Sequence, residues 1–141
     1  TEGDWDYIHK VNLKATFFCC QQGARIMQNN GGGRIVNISS LGGIRPWADH
    51  AHYCASKAGV IHMTRALAKA FAPDISVNSV APGVIPFAEK DDPHIQSLVS
   101  DTPAKRYGTG EEVAEGVIHF LTASKFVTGQ ILAVDGGLSQ R

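Results

Sequence analysis

Tyr53 and Lys57 stand four residues apart in Tyr53-Cys54-Ala55-Ser56-Lys57, with Ser40 thirteen residues before the tyrosine and Asn12 twenty-eight before the serine. Residues four apart on a helix share a face, so one helix can hold an ammonium beside a phenol. Bringing the ionisation of a phenol from its ordinary range to near neutrality takes about 4 kcal/mol of preference for phenolate. A cation about 4 Å away, at an effective dielectric of about 20, supplies an interaction of that size. The chemistry on offer is proton transfer to or from an oxygen. Ser40 ends Gly33-Arg34-Ile35-Val36-Asn37-Ile38-Ser39-Ser40, a short β-rich apolar run that opens into Gly42-Gly43. Such a strand end delivers a hydroxyl to the carboxyl edge of a sheet, where open α/β sheets bind ligands.

These residues need elements to carry them. Asp4 to about Gln28 reads as one long helix, with apolar residues at Ile8, Val11, Phe18 and Ile26 and with Asp4 as N-cap or first-turn acid. Gly31-Gly32-Gly33 follows Asn29-Asn30 and reads as a helix-ending turn, because these residue types tolerate positive φ. Arg34 to Ser39 reads as a strand whose Ile35, Val36 and Ile38 suit a sheet covered on both faces. A loop to His52 leads into a helix from Tyr53 to about Phe71, where Ala55, Ala58 and Gly59 permit close approach and Val60, Met63 and Leu67 form an apolar stripe. Ile75 to Val80 and Ile131 to Val134 read as further strands, and Glu111 to Ala123 as a helix between them. Alternating helices and strands predict an α/β fold with parallel pairing and crossover connections, in one domain without repeats or linkers.

Composition narrows the function classes. The chain has 141 residues, 43% of them hydrophobic and 18% charged, and a formal net charge of zero. That balance argues against electrostatic nucleic-acid binding, which needs a basic surface, and no apolar run approaches the ~20 residues of a membrane span. Cys19, Cys20 and Cys54 have no metal-ligand spacing and suit reduced thiols in the cytoplasm. His50 and His52 are close together, but two histidines alone do not make a zinc site, so no metal is expected.

The ordered set of motifs resembles the short-chain dehydrogenase/reductase family over nearly the whole chain. Val11-Asn12-Leu13 resembles the family's asparagine-bearing helix, Ile35 to Ser40 its serine strand, and Tyr53 to Gly59 its tyrosine–lysine helix. Val77-Asn78-Ser79-Val80-Ala81-Pro82-Gly83 resembles the strand and turn that close over the nicotinamide. Val127-Thr128-Gly129-Gln130 and Val134-Asp135-Gly136-Gly137 resemble the last strand and its flanks. The resemblance implies a Rossmann-like doubly wound parallel sheet, of which this chain is the C-terminal part. It implies Tyr53 as general acid or base, Ser40 as a hydrogen-bond donor to the substrate oxygen, and Lys57 as the group that favours phenolate and binds the nicotinamide ribose. Asn12 would hold, through its backbone, a water linking the lysine to solvent. Tyr53 and Lys57, together with Pro82, Gly83, Val84 and Ile85, would contact the cofactor. The resemblance also implies a homodimer or homotetramer built on the two long helices.

Two departures qualify the expectation. No glycine-rich turn joins a strand to a helix upstream of Tyr53, so the phosphate site and the first strands of the fold are expected to lie in about 90 to 110 residues before Thr1. In the loop after Pro82-Gly83, Phe87 stands where the family usually has threonine, followed by Glu89, Asp91 and Asp92. That pattern is similar to the pteridine and dihydromonapterin reductase branch; the 3-oxoacyl reductase branch is the other candidate. Pro93 to Pro103 resembles the mobile lid, while Trp47 is expected to wall the pocket or stack on a planar substrate. Ser40, Trp47 and Phe87 are thus the expected substrate contacts. The expected activity is reduction of a carbonyl or imine, of a small ketone, sugar, 3-oxoacyl thioester or pterin, with NADPH preferred over NADH. The alternative is a noncatalytic family member serving as a binding or assembly module.

Overall fold

The computed structural model describes residues 1–86 and 93–140, with only the backbone described at 93–95. The first helical stretch runs through three segments in one path: α1 (Glu2–His9), a π-helical turn (Lys10–Lys14) and α2 (Ala15–Gln28). Thr1 is its N-cap, and Asp4 completes the capping box from the first turn. Gly31 and Gly32 follow at φ 83° and 88°, and the Gly32 N–H donates to the Met27 carbonyl at 2.8 Å. The expected helix-ending turn is therefore present.

Strand β1 (Gly33–Ile38) leads through a short 3₁₀ turn (Leu41–Gly43) and a second one (Ala48–His50) into α3 (Ala51–Phe71). Helix α3 begins two residues before the expected Tyr53, directly on the second 3₁₀ turn and without a side-chain cap. Strand β2 (Ile75–Pro82) extends two residues beyond Val80, because Ala81 and Pro82 pair with Ala133 and Val134. Then come α4 (Pro93–Asp101), α5 (Gly110–Thr122) and β3 (Ile131–Val134). Thr109 caps α5 in a second capping box with Glu112. The Arg106 guanidinium holds the Glu112 carboxyl down at about 2, mainly through their hydrogen bonds, with the Thr109 N–H assisting.

The described strands form one parallel sheet in the order β1-β2-β3, with Ile38 beside Val80 and Ser79 beside Ile131. Alternation along β2 sends Val77 into a core with Cys20, Ala24, Leu67 and Ala68, so α2 and α3 cover one face. Val80 points to the other face. There a Cβ added at Gly116 of α5 would lie 3.3–3.4 Å from Val134, Leu132 and Val80, showing how closely that helix lies on the sheet. Helices on both faces make this a doubly wound arrangement. Within this chain Ile35 and Val36 are half-buried and Ile38 is 44% exposed. β1 has one strand partner among the described residues, whereas β2 lies between two and is buried along nearly all its length.

Candidate active site

Parallel pairing brings the ends of β1, β2 and β3 to one edge of the sheet. Ser40 lies just beyond β1, extended and buried, and its Oγ accepts a hydrogen bond from the Gly42 N–H at 3.1 Å. Among the described residues its hydroxyl donates to no partner, so the Ser40 proton is available to an incoming oxygen.

The 3₁₀ turn after Ser40 is pressed against α3. A Cβ at Gly42 would fall 3.2 Å from Tyr53 Cε1, and one at Gly43 would fall 2.7 Å from the Lys57 carbonyl carbon. These glycines let the serine-bearing turn approach the helix turn that carries Tyr53 and Lys57. Gly43→Ala is expected to force the turn away from α3 backbone that cannot yield, at a cost of about 2 kcal/mol, measurable by chemical denaturation. Gly42→Ala meets only a side-chain edge and is expected to cost less.

Tyr53 and Lys57 share one face of α3 as expected, but they do not hydrogen-bond each other. The Lys57 ammonium lies 5.9 Å from the Tyr53 ring centroid and donates to the Ile38 carbonyl at 3.2 Å. Burial pushes the Lys57 pKa down from that of an ordinary lysine. An ammonium has three donors, so with one on Ile38 two remain for a ligand's hydroxyls.

Asn12 lies in the π-helical turn, a feature that often marks functional positions. Its carbonyl accepts from Thr16 Oγ1 at 2.8 Å, and its side chain reaches α3, where Nδ2 donates to Ser56 Oγ at 3.1 Å. Trp47 stacks beside Tyr53 with ring centroids 6.2 Å apart and planes 11° apart, and meets His50 edge-on at 5.9 Å. The Trp47 backbone N–H donates to Cys54 Sγ at 3.4 Å. A cleft of about 300 Å³ opens beside it, lined by Arg45, Trp47, His50, Leu98 and Leu138.

Pro82 closes β2, and the segment after it is tied down on two sides: the Gly83 N–H donates to the Val134 carbonyl at 2.9 Å, and the Gly108 N–H to the Val84 carbonyl at 3.0 Å. Ile85 follows, half-buried, on the same sheet edge. Phe87 lies outside the described residues, as do Glu89, Asp91 and Asp92. No group of three His, Cys, Asp or Glu among the described residues could hold a metal ion. Sequence reasoning missed Ile38, whose backbone carbonyl holds Lys57 and leaves no side-chain signature. It also missed Ser56, although that residue lies inside the quoted tyrosine–lysine motif.

Residues 1–139 match a family model described as enoyl-(acyl carrier protein) reductase. A 3-oxoacyl-[acyl-carrier-protein] reductase FabG of Thermotoga maritima is 45% identical over 143 residues, covering 97% of this chain and 58% of that protein. The chain belongs to the short-chain dehydrogenase/reductase family. Among solved short-chain dehydrogenase/reductase structures, a gluconate 5-dehydrogenase from Burkholderia cenocepacia in complex with NADP and tartrate superposes with a TM-score of 0.94. It is 34% identical, over 100% of this chain and 58% of that one. A short-chain type dehydrogenase/reductase from Mycobacterium ulcerans gives a TM-score of 0.94 at 30% identity, over 100% of this chain and 54% of the other. The chain thus spans between half and three-fifths of the length of these relatives. No helix among the described residues is long and apolar enough to cross a membrane.

Proposed function

We propose that the whole protein is an NAD(P)-dependent oxidoreductase that reduces a carbonyl group, and that these residues form its C-terminal catalytic portion. One observation carries this reading: the Gly42-Gly43 turn packs Ser40, at the end of β1, against the α3 turn bearing Tyr53 and Lys57. An acid, a neutral donor and a cation then share one sheet edge, as carbonyl reduction requires. Tyr53 gives its proton to the carbonyl oxygen, and Ser40 donates a hydrogen bond to the same oxygen as negative charge develops there. Lys57 favours the phenolate that remains and offers its two free donors to the nicotinamide ribose. The residues Pro82, Gly83, Val84 and Ile85 would border the nicotinamide, which when bound and reduced supplies the hydride. Its phosphates would be held by residues outside this sequence.

NADP is the favoured cofactor because the gluconate 5-dehydrogenase relative holds it. The relatives named above point to 3-oxoacyl thioesters or small sugar acids as the substrate classes and give no support to a pterin. Trp47, beside Tyr53 and on the wall of the 300 Å³ cleft, would meet the substrate first. Exposed apolar residues on the first helices, Trp5, Val11, Phe17 and Phe18, support a homo-oligomer. Three free cysteines, two of them buried, fit a reducing cytoplasm.

The test is NADPH oxidation by the full-length protein with 3-oxoacyl thioesters and keto sugar acids offered in parallel. Turnover of one class is expected. Cofactor binding without turnover of any carbonyl would favour a binding module instead.

A further inference from the structure

We infer that Ser56 is a positioning residue that fixes Asn12 against the helix turn carrying Tyr53 and Lys57; this rests on the functional reading above. Ser56 is fully buried. Its hydroxyl donates to the Tyr53 carbonyl at 2.7 Å and accepts from Asn12 Nδ2 at 3.1 Å. A hydroxyl has a single proton, and Tyr53 takes it, so Ser56 can only accept from Asn12. This decides which end of the Asn12 amide faces α3, since only the NH₂ end can donate. A carboxylate at position 12 could not make the contact.

The contact lies at a close helix crossing. One residue along, Leu13 packs over Gly59, where an added Cβ would lie 3.0 and 3.1 Å from the two Leu13 methyl carbons. Ser56 and Gly59 are three apart and share a face of α3, so Asn12 and Leu13 grip it at two adjacent points. The π-helical turn is what presents these neighbouring residues together. On its other side Asn12 is held by Thr16, whose hydroxyl donates to the Asn12 carbonyl at 2.8 Å. A continuous path, Asn12 amide to Ser56 hydroxyl to Tyr53 carbonyl, therefore joins the first helix to the backbone of the reacting turn, and Lys57 is the next residue after Ser56. Ser56 touches neither substrate nor cofactor in this scheme. It acts through the placement of Asn12 relative to Lys57.

Two variants test this in the full-length protein. Ser56→Ala keeps the helix and removes the acceptor; Asn12→Asp keeps the side-chain shape and removes the donor. Each is expected to lower kcat about tenfold, leave KM for NADPH within about twofold, and displace the pH profile of kcat. The double variant is expected to lose no more than the worse single one, because both remove the same contact. Thermal unfolding checks that each variant is folded. Unchanged kcat and pH profile in Ser56→Ala would overturn the inference, as would losses that multiply in the double variant. If the unmutated protein reduces no carbonyl, the functional reading fails and takes this inference with it; if it does turn over, the variants judge Ser56 alone.

Discussion

Tyr53→Phe is expected to lower kcat/KM for carbonyl reduction about a thousandfold, in the middle of the range for removing a general acid. The substitution isolates the hydroxyl. The phenylalanine ring keeps its seat over Gly42 and its stacking beside Trp47, both of which involve only ring atoms. Among the described residues the Tyr53 hydroxyl makes no hydrogen bond, so its removal strands no buried partner, and stability should change by less than about 1 kcal/mol. NADPH affinity should hold, because Lys57 remains on Ile38 with its other donors free. The measurement is steady-state kinetics beside a cofactor fluorescence titration. Loss of turnover with binding retained assigns the proton to Tyr53. Turnover kept within about tenfold would move the proton donor elsewhere in the site.

The legible part of this protein is the part encoded by side-chain type at short spacing. Tyr53 and Lys57 announce themselves because one helical turn separates them, and Ser40 because a β-rich run ends on it before two glycines. The structure then shows what those glycines do, which spacing could not: a missing Cβ matters only once the opposing backbone of Lys57 is in place. The π-helical turn is hidden in the sequence for a different reason. Its i→i+5 bonding over Lys10–Lys14 barely alters the apolar repeat of a long helix, so α1 to α2 read as uninterrupted. The start of α3 leaves no sequence signal because Ala51 has no capping side chain before it; the helix grows out of a 3₁₀ turn. The extent of β2 is masked at Pro82, since proline signals a break, yet at a strand end its missing N–H costs little. Lys57 is the instructive site residue. Spacing pairs it with Tyr53, but its hydrogen bond goes to the Ile38 main chain, which only the packing of β1 against α3 reveals.

Lys57→Met should produce the second large effect, and its pH dependence distinguishes charge from packing. The ammonium lies 5.9 Å from the Tyr53 ring centroid; at a charge separation of about 6 Å, an effective dielectric of about 20 gives about 3 kcal/mol of preference for phenolate, or roughly a hundredfold in rate. Loss of the ribose contact should raise KM for NADPH as well, a split that Tyr53→Phe would not show. Burial lowers the Lys57 pKa below the ordinary 10.5, so the ammonium of the cofactor-free protein is lost at a lower pH than that of a free lysine. The activity of the unmutated protein should therefore fall on the alkaline side before an ordinary lysine titrates. Stability follows the same linkage. Between the depressed folded value and 10.5 the unfolded chain binds the extra proton, so folding free energy improves as pH rises through that window. Below it, the cost of burying the charged ammonium is present in full. The methionine variant has no such cost, so the unmutated protein should gain on it as pH rises, which denaturant titrations across the alkaline range would measure. A pH-independent difference between the two would mean that Lys57 is no more desolvated in the fold than in the open chain.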